Sequence, residues 1–145
     1  MRRTEYLTEK REFQNLKAGV IMEREVVKAV PSDTGRTIAK QMTEKNIGSL
    51  PVVDEEGVLV GLVSEFDLLK HLLNEADLET VTAEQLMSRD VKFVLDETPV
   101  EDMIKLLDEE HLIRVPVVKD GKLTGIVARR DILFGYIKAT SSYWP

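Results

Sequence analysis

The sequence repeats itself once, and this repeat limits the possible folds more than any other feature. Three blocks recur in the same order about 65 positions further along the chain. The blocks pair residues 20–22 with 85–87, residues 49–54 (SLPVVD) with 114–119 (RVPVVK), and residues 61–69 (GLVSEFDLL) with 125–133 (GIVARRDIL). The order predicts two copies of a unit of about 60 residues, joined near residues 76–82.

Each copy predicts a strand, a helix, a two-stranded hairpin and a closing helix. In the first copy we expect these elements at residues 26–30, 34–45, 50–53, 58–63 and 65–74. In the second copy we expect a strand at 91–95, a helix with Thr98 as N-cap and Pro99 as its first residue, strands at 115–118 and 123–127, and a helix at 129–138.

This β-α-β-β-α order predicts a mixed α/β (α+β) fold with small sheets. A unit of about 60 residues buries too little surface to be stable alone, so we expect the copies to pack together and share a core. The predicted domains are a helical extension with Tyr6, Leu7, Phe13 and Leu16 on one face, two repeats and a tail. They cover residues 1–17, 18–76, 77–140 and 141–145.

Composition narrows the functional class. The net charge is −6, which argues against binding to nucleic acid, because that affinity depends on clustered positive charge. The sequence has no cysteine, which excludes disulfides, cysteine metal sites and a cysteine nucleophile. No apolar run is long enough to span a membrane, and the charged first 17 residues lack the apolar centre of a signal peptide. We therefore expect a cytoplasmic protein.

Catalytic and metal-binding patterns are missing from the sequence. His71 and His111 occupy non-equivalent positions in the two copies, and each lies near the end of a predicted helix, where histidine suits the helix dipole. No phosphate-binding glycine loop, nucleophile motif or histidine pair for a metal is present. The sequence therefore predicts neither an enzyme nor a metal site.

A strand-to-helix junction carries the first candidate site. Gly61, Ser64 and Asp67 place a hydroxyl at the end of a strand and a carboxylate in the first turn of the next helix. This spacing is also that of a capping box, which needs no ligand. Alternatively, the same geometry suits a vicinal diol such as a ribose, with the helix N-terminus favouring an anion nearby. In the second copy Ala128 replaces the serine while Asp131 remains, which a cap alone explains less well.

Arg114 is the second candidate. It opens an apolar strand, where its equivalent in the first copy is Ser49. One reading is an arginine whose stem lies along apolar surface at a strand end. The other is a phosphate ligand, a role that suits the guanidinium fork.

The repeated motifs resemble the CBS domain, and the chain beyond about residue 17 resembles a tandem CBS pair, or Bateman module. The resemblance depends on the two Pro-Val-Val strands, the motifs of residues 61–67 and 125–131, and the short lead-in to each copy. It implies two CBS domains packed through their sheets about a pseudo-twofold axis, with two clefts for adenosine ligands. AMP, ADP or ATP is the expected ligand, with S-adenosylmethionine or NAD as alternatives.

The resemblance also implies which residues line each cleft. Cleft one would take Ser64 and Asp67 for the ribose, with Val91, Lys92, Arg114 and Pro116. Cleft two would take Asp131 for the ribose, with Val27, Lys28 and Pro51. Cleft two lacks both the hydroxyl and the basic residue, because Ala128 and Ser49 stand at those positions. These departures predict one competent cleft and one weaker cleft, unless Arg129 and Arg130 compensate.

The implied role is that of a sensor without a catalytic domain, which signals through a change of conformation or assembly. CBS pairs commonly dimerise, and apolar faces on the closing helices of both copies predict a homodimer here. The regulated protein is not identifiable from the sequence. The alternative function is a dimerisation or interaction module whose clefts bind nothing.

Overall fold

Helices and two small sheets make up the fold, in a computed structural model that describes residues 11–74 and 76–141. The predicted helical residues Tyr6 and Leu7 and the tail residues Tyr143 and Trp144 lie outside this part. The elements are α1 (Ala18–Ile21), α2 (Gly35–Lys45), β1 (Ser49–Val53), β2 (Leu59–Ser64), α3 (Glu65–Leu73), α4 (Ala83–Leu86), β3 (Val94–Leu95), α5 (Val100–Glu109), β4 (Arg114–Lys119), β5 (Lys122–Ala128) and α6 (Arg129–Thr140). This content confirms the predicted α+β class.

Two sheets form, with the orders β1-β2 and β3-β4-β5. The hairpin of β1 and β2 is antiparallel, and β3 runs parallel to β4. The strand predicted at residues 26–30 is reduced to a single bridge, in which Ala29 N donates to Pro51 O and Ala29 O accepts from Val53 N, both at 2.9 Å. The backbone therefore pairs with β1 at Ala29 before the chain turns into α2.

The start of α5 corrects the prediction that Thr98 is its N-cap. Pro99 occupies the N-cap position, and the first helical residue is Val100. The Thr98 hydroxyl accepts a hydrogen bond from Leu95 N at 2.9 Å, so it closes the turn that precedes the helix. In the first copy, by contrast, Thr34 caps α2 as its position at the start of the predicted helix implies, because its hydroxyl accepts from Thr37 N.

The compact units of the fold differ from the sequence repeats. Within the described residues, 27–74, 76–91 and 120–123 form one unit, which we call the first-repeat unit. Residues 11–26, 92–119 and 124–141 form the other, the second-repeat unit. The lead-in of each copy thus belongs to the unit that holds the helices and hairpin of the other copy.

Backbone hydrogen bonds hold each lead-in in place. In the second-repeat unit, Ala18 N donates to Thr98 O at 2.8 Å, just before α5. In the first-repeat unit, Ala83 N donates to Asp33 O at 2.8 Å, just before α2. Both alanines are fully buried, where a small side chain allows the close approach of a short helix. These bonds tie each lead-in to the start of a helix in its own unit, while the predicted packing of the two copies around a shared core stays a prediction.

Each unit has its own apolar cluster. The first-repeat cluster consists of Ala29, Ile38, Met42, Leu50, Val52, Val63, Leu68 and Ala83. The second-repeat cluster consists of Phe13, Ala18, Val94, Val100, Met103, Leu107, Val115, Val117, Val127 and Ile132. Burial of these side chains is the main stabilising contribution, at about 1.5–3 kcal/mol for each large aliphatic group before the entropy cost of folding.

Candidate functional site

In both units the hairpin passes directly into a helix. In the first-repeat unit, β2 ends at Ser64, and the backbone N of Glu65 donates to Gly48 O at 3.0 Å. In the second-repeat unit, Arg129 N donates to Ile113 O at 2.9 Å. Each bond joins the first residue of a helix to the residue that precedes a strand. The start of that strand and the start of the helix therefore lie side by side in both units.

Each of these places is a junction of five residues. The first junction consists of Ser49, Ser64, Glu65, Phe66 and Asp67. The second junction consists of the equivalent residues Arg114, Ala128, Arg129, Arg130 and Asp131.

The first junction contains a complete capping box. Ser64 N donates to Oδ2 of Asp67 at 2.7 Å, and Asp67 N donates to Oγ of Ser64 at 3.3 Å. Oγ of Ser64 also lies 3.0 Å from the same carboxylate oxygen, to which its hydroxyl donates. These bonds satisfy backbone groups that a helix start leaves unpaired. They also hold the Asp67 carboxylate in place beside Ser64.

The second junction keeps only half of this arrangement. Ala128 N donates to Oδ2 of Asp131 at 2.8 Å, but alanine offers no hydroxyl in return. Within residues 11–74 and 76–141, no hydrogen bond reaches the other oxygen, Oδ1, of Asp67 or Asp131. Both aspartate side chains are partly exposed.

The position of Ser49 was missed as a site residue by the sequence analysis. In the antiparallel hairpin, Ser49 is the direct partner of Ser64, so their side chains lie on the same face. The sequence predicts a hairpin here, but the register shifts between Val52 and Val53, so pairing the strands outward from the loop would not by itself place Ser49 opposite Ser64. Ser49, the equivalent of Arg114, therefore lies beside Ser64, the equivalent of Ala128.

Arg114 lies near Asp131 in the second-repeat unit. It is partly buried, and this burial lowers the pKa of its guanidinium below the ordinary value, while the charge of Asp131 opposes the change. Arginine stays protonated at neutral pH in proteins. The second junction therefore contains a guanidinium and a carboxylate that interact electrostatically.

The structure divides the predicted cleft residues between the two units. Those of the first-repeat unit are Val27, Lys28, Pro51, Ser64, Asp67 and Val91, and those of the second-repeat unit are Lys92, Arg114, Pro116 and Asp131. The family resemblance groups Arg114 with Asp67, whereas Arg114 lies within electrostatic reach of Asp131 in the structure. Pro51 and Pro116 are both buried, so neither side chain is open to a ligand. The grouping of these residues into clefts stays a prediction.

Metal sites and membrane spans are absent from residues 11–74 and 76–141. No group of three or more histidine, aspartate or glutamate side chains there could hold a metal ion. No helix among those residues is both long and apolar enough to cross a membrane.

Comparison with known families gives two matches along the chain. The model of the CBS domain matches residues 18–74 and again residues 83–138. The chain is also 33% identical over 123 residues to an uncharacterized protein of Methanopyrus kandleri, an alignment that covers 83% of this chain and 63% of that protein. The chain thus spans less than two thirds of the length of the first curated relatives that it matches.

Two solved structures with bound ligands are similar to this fold. CBSX2, a CBS-pair protein of Arabidopsis thaliana, was crystallised in complex with AMP. That complex has a TM-score of 0.73 and 30% identity, over 84% of this chain and 96% of that one. The CBS domain pair of protein MJ0100, in complex with 5′-methylthioadenosine and S-adenosyl-L-methionine, has a TM-score of 0.70 and 31% identity, over 82% and 95% of the two chains.

Proposed function

Since the chain belongs to the CBS domain family, we propose that it is a regulatory module that binds an adenosine-containing ligand through its two junctions. AMP, ADP or ATP is the ligand we favour, with S-adenosylmethionine or NAD as alternatives. The complexes of CBSX2 with AMP and of the MJ0100 pair with 5′-methylthioadenosine and S-adenosyl-L-methionine support an adenosine ligand. Ligand binding would act on a partner protein by favouring one conformation or assembly over another.

The geometry of Asp67 and Asp131 carries this proposal. Each carboxylate is held by its cap through Oδ2, which fixes its orientation before any ligand arrives. A ribose offers two neighbouring hydroxyl groups, and an oriented carboxylate can accept hydrogen bonds from both. An aspartate is present at position 131 although Ala128 replaces the serine that would complete the capping box. We therefore assign Asp131 a ligand-binding role in addition to its capping role.

The adenine base would contact the residues that come just before Ala29 and just before β3. Val27 and Lys28 come just before Ala29, which bridges to β1, and Val91 and Lys92 come just before β3, which pairs with β4. Both valines are partly exposed and offer apolar contact for a base. We propose these four residues as the base-contacting set, and we leave out the buried prolines.

Titration calorimetry with AMP, ADP, ATP, NAD and S-adenosylmethionine tests the proposal. Asp67→Asn and Asp131→Asn keep an oxygen for the cap but remove the negative charge that the ribose hydroxyls would meet. We expect each variant to lose about tenfold or more in affinity at its own junction. Asp102→Asn, which removes an exposed carboxylate from α5, is the matched control and should bind like the native chain.

The same titrations can reject ligand binding altogether. If none of the five compounds binds at millimolar concentration, the module has no adenosine ligand, and the alternative function as a dimerisation or interaction module is favoured. If a ligand binds but neither aspartate variant weakens it, the assignment of the ribose to the junctions is wrong.

Exposed apolar side chains on the closing helices support a homodimer. On α3 they are Phe66, Leu69 and Leu73, and on α6 they are Leu133, Phe134 and Ile137, all more than half exposed. Three- and four-residue spacings place each set on one face of its helix. Because both repeats carry such a face on the equivalent helix, we propose that a second copy of the chain covers them.

Sedimentation equilibrium tests the dimer. We expect the native chain to have twice the chain mass of 16.5 kDa, and the Leu69→Glu/Leu133→Glu double variant to have the mass of one chain. A carboxylate buried in an apolar interface without a partner opposes association. Val20→Glu, at a position that is 70% exposed on α1, is the control and should stay dimeric. A native monomer at high concentration would contradict the proposal.

A further inference from the structure

The two junctions carry opposite charge although they are equivalent in the repeat. The first junction has two carboxylates, those of Glu65 and Asp67, and no basic side chain among its five residues. The second junction has three arginines and one aspartate. Exposed lysines lie upstream of the hairpin in both repeats, among them Lys28 in the first and Lys92 in the second, so the lysines do not account for the difference.

Arg114 makes the second junction suited to an anion. Its guanidinium is partly buried at the start of β4 and lies within electrostatic reach of Asp131. Arg129 and Arg130 are exposed in the first turn of α6, a helix of 12 residues whose N-terminal backbone groups also favour negative charge. A guanidinium fork at such a place matches the oxygens of a phosphate.

The first junction is unfavourable for the same group. Glu65 replaces Arg129, and its side chain folds back over the start of β1: a methyl group added to Gly48 would lie 2.8 Å from Oε1 of Glu65. A phosphate at this place would face two carboxylates. An uncharged or cationic group would meet no such repulsion.

We propose that the two junctions sort adenosine ligands by charge: the second junction takes those that carry a phosphate, and the first takes those that carry none. The inference rests on the proposed function, because it takes Asp67 and Asp131 to bind the ribose. It replaces the expectation of one competent and one weak cleft with two competent sites of different selectivity.

AMP and 5′-methylthioadenosine are suitable probes, because they share the adenosine and differ in the phosphate. We would first titrate 5′-methylthioadenosine into the full chain saturated with AMP. Two selective sites predict that it still binds, at about one molecule per chain. Raising the salt concentration should weaken AMP binding more than 5′-methylthioadenosine binding, because salt screens the attraction between charges.

Variants at the junctions then test the assignment through the ratio of the two affinities. Arg114→Ser should lower the preference for AMP by about tenfold or more, since a charge-assisted hydrogen bond is lost. Ser49→Arg should raise AMP affinity at the first junction. Arg114→Lys keeps the charge but not the fork, and it should fall between the native chain and Arg114→Ser. Arg36→Ser, at an exposed arginine paired with Glu79, is the control and should leave the ratio unchanged.

The outcomes separate this inference from the proposed function. If neither probe binds at millimolar concentration, both fail. If both bind but AMP displaces 5′-methylthioadenosine at a single site, or Arg114→Ser leaves the affinity ratio at its native value, the charge sorting is wrong while adenosine binding stands. If AMP binding is lost through Asp67→Asn in place of Asp131→Asn, the junctions are assigned in the wrong order.

Discussion

Leu50→Ala is expected to lower the free energy of unfolding by about 2–5 kcal/mol. Leu50 is fully buried in β1, opposite Val63, and belongs to the same apolar cluster as Ile38 and Met42. Truncation removes apolar contacts and leaves a cavity, because α2 and the hairpin are held in place by their own hydrogen bonds. A loss of this size is a large part of the 5–15 kcal/mol that is typical of a folded domain.

Urea unfolding followed by circular dichroism measures this effect. Leu95→Ala is the matched control, because it makes the same chemical change at a side chain that is 52% exposed. We expect it to cost less than about 1 kcal/mol. Equal losses in the two variants would mean that Leu50 is not a core residue in solution.

Gly125→Ala is expected to destabilise the chain by about 1–3 kcal/mol through overpacking. A methyl group at Gly125 would overlap the sulfur of Met22 and lie 2.9 Å from the carbonyl oxygen of Glu23. The methionine side chain can move, but the carbonyl cannot move freely. Glu23 is held to Ile126 by two backbone hydrogen bonds, of 2.8 and 3.0 Å.

Gly135→Ala provides the contrast for this prediction, with the opposite sign. Gly135 lies inside α6, and among the described residues a methyl group there would meet only Phe13 and Ile21, at 3.6 and 3.8 Å. Alanine favours a helix over glycine by up to about 1 kcal/mol. The same urea experiment should therefore show Gly135→Ala at least as stable as the native chain. Stability of Gly125→Ala equal to the native value would show that the packing around Met22 is looser than described.

Local patterns in the sequence predicted most of the secondary structure. The hairpins and closing helices were predicted within a few residues, because alternating apolar residues and helix-start signals act over short distances. Thr98 shows the limit of such signals. Thr98 and Pro99 fit a helix start by type, but the Thr98 hydroxyl bonds to Leu95 N instead, and the helix begins at Val100.

The repeat by itself determined the fold class, the order of the elements and the presence of Asp67 and Asp131 at equivalent helix starts. These features depend on spacing along the chain, which a sequence displays directly. Only the tertiary structure decided that Arg114 lies with Asp131 and Ser49 with Ser64, since residues 15 or more positions apart meet only when a hairpin closes in one register. It also decided that each lead-in joins the other repeat's unit, because a short helix is held there by distant backbone groups and not by its own sequence.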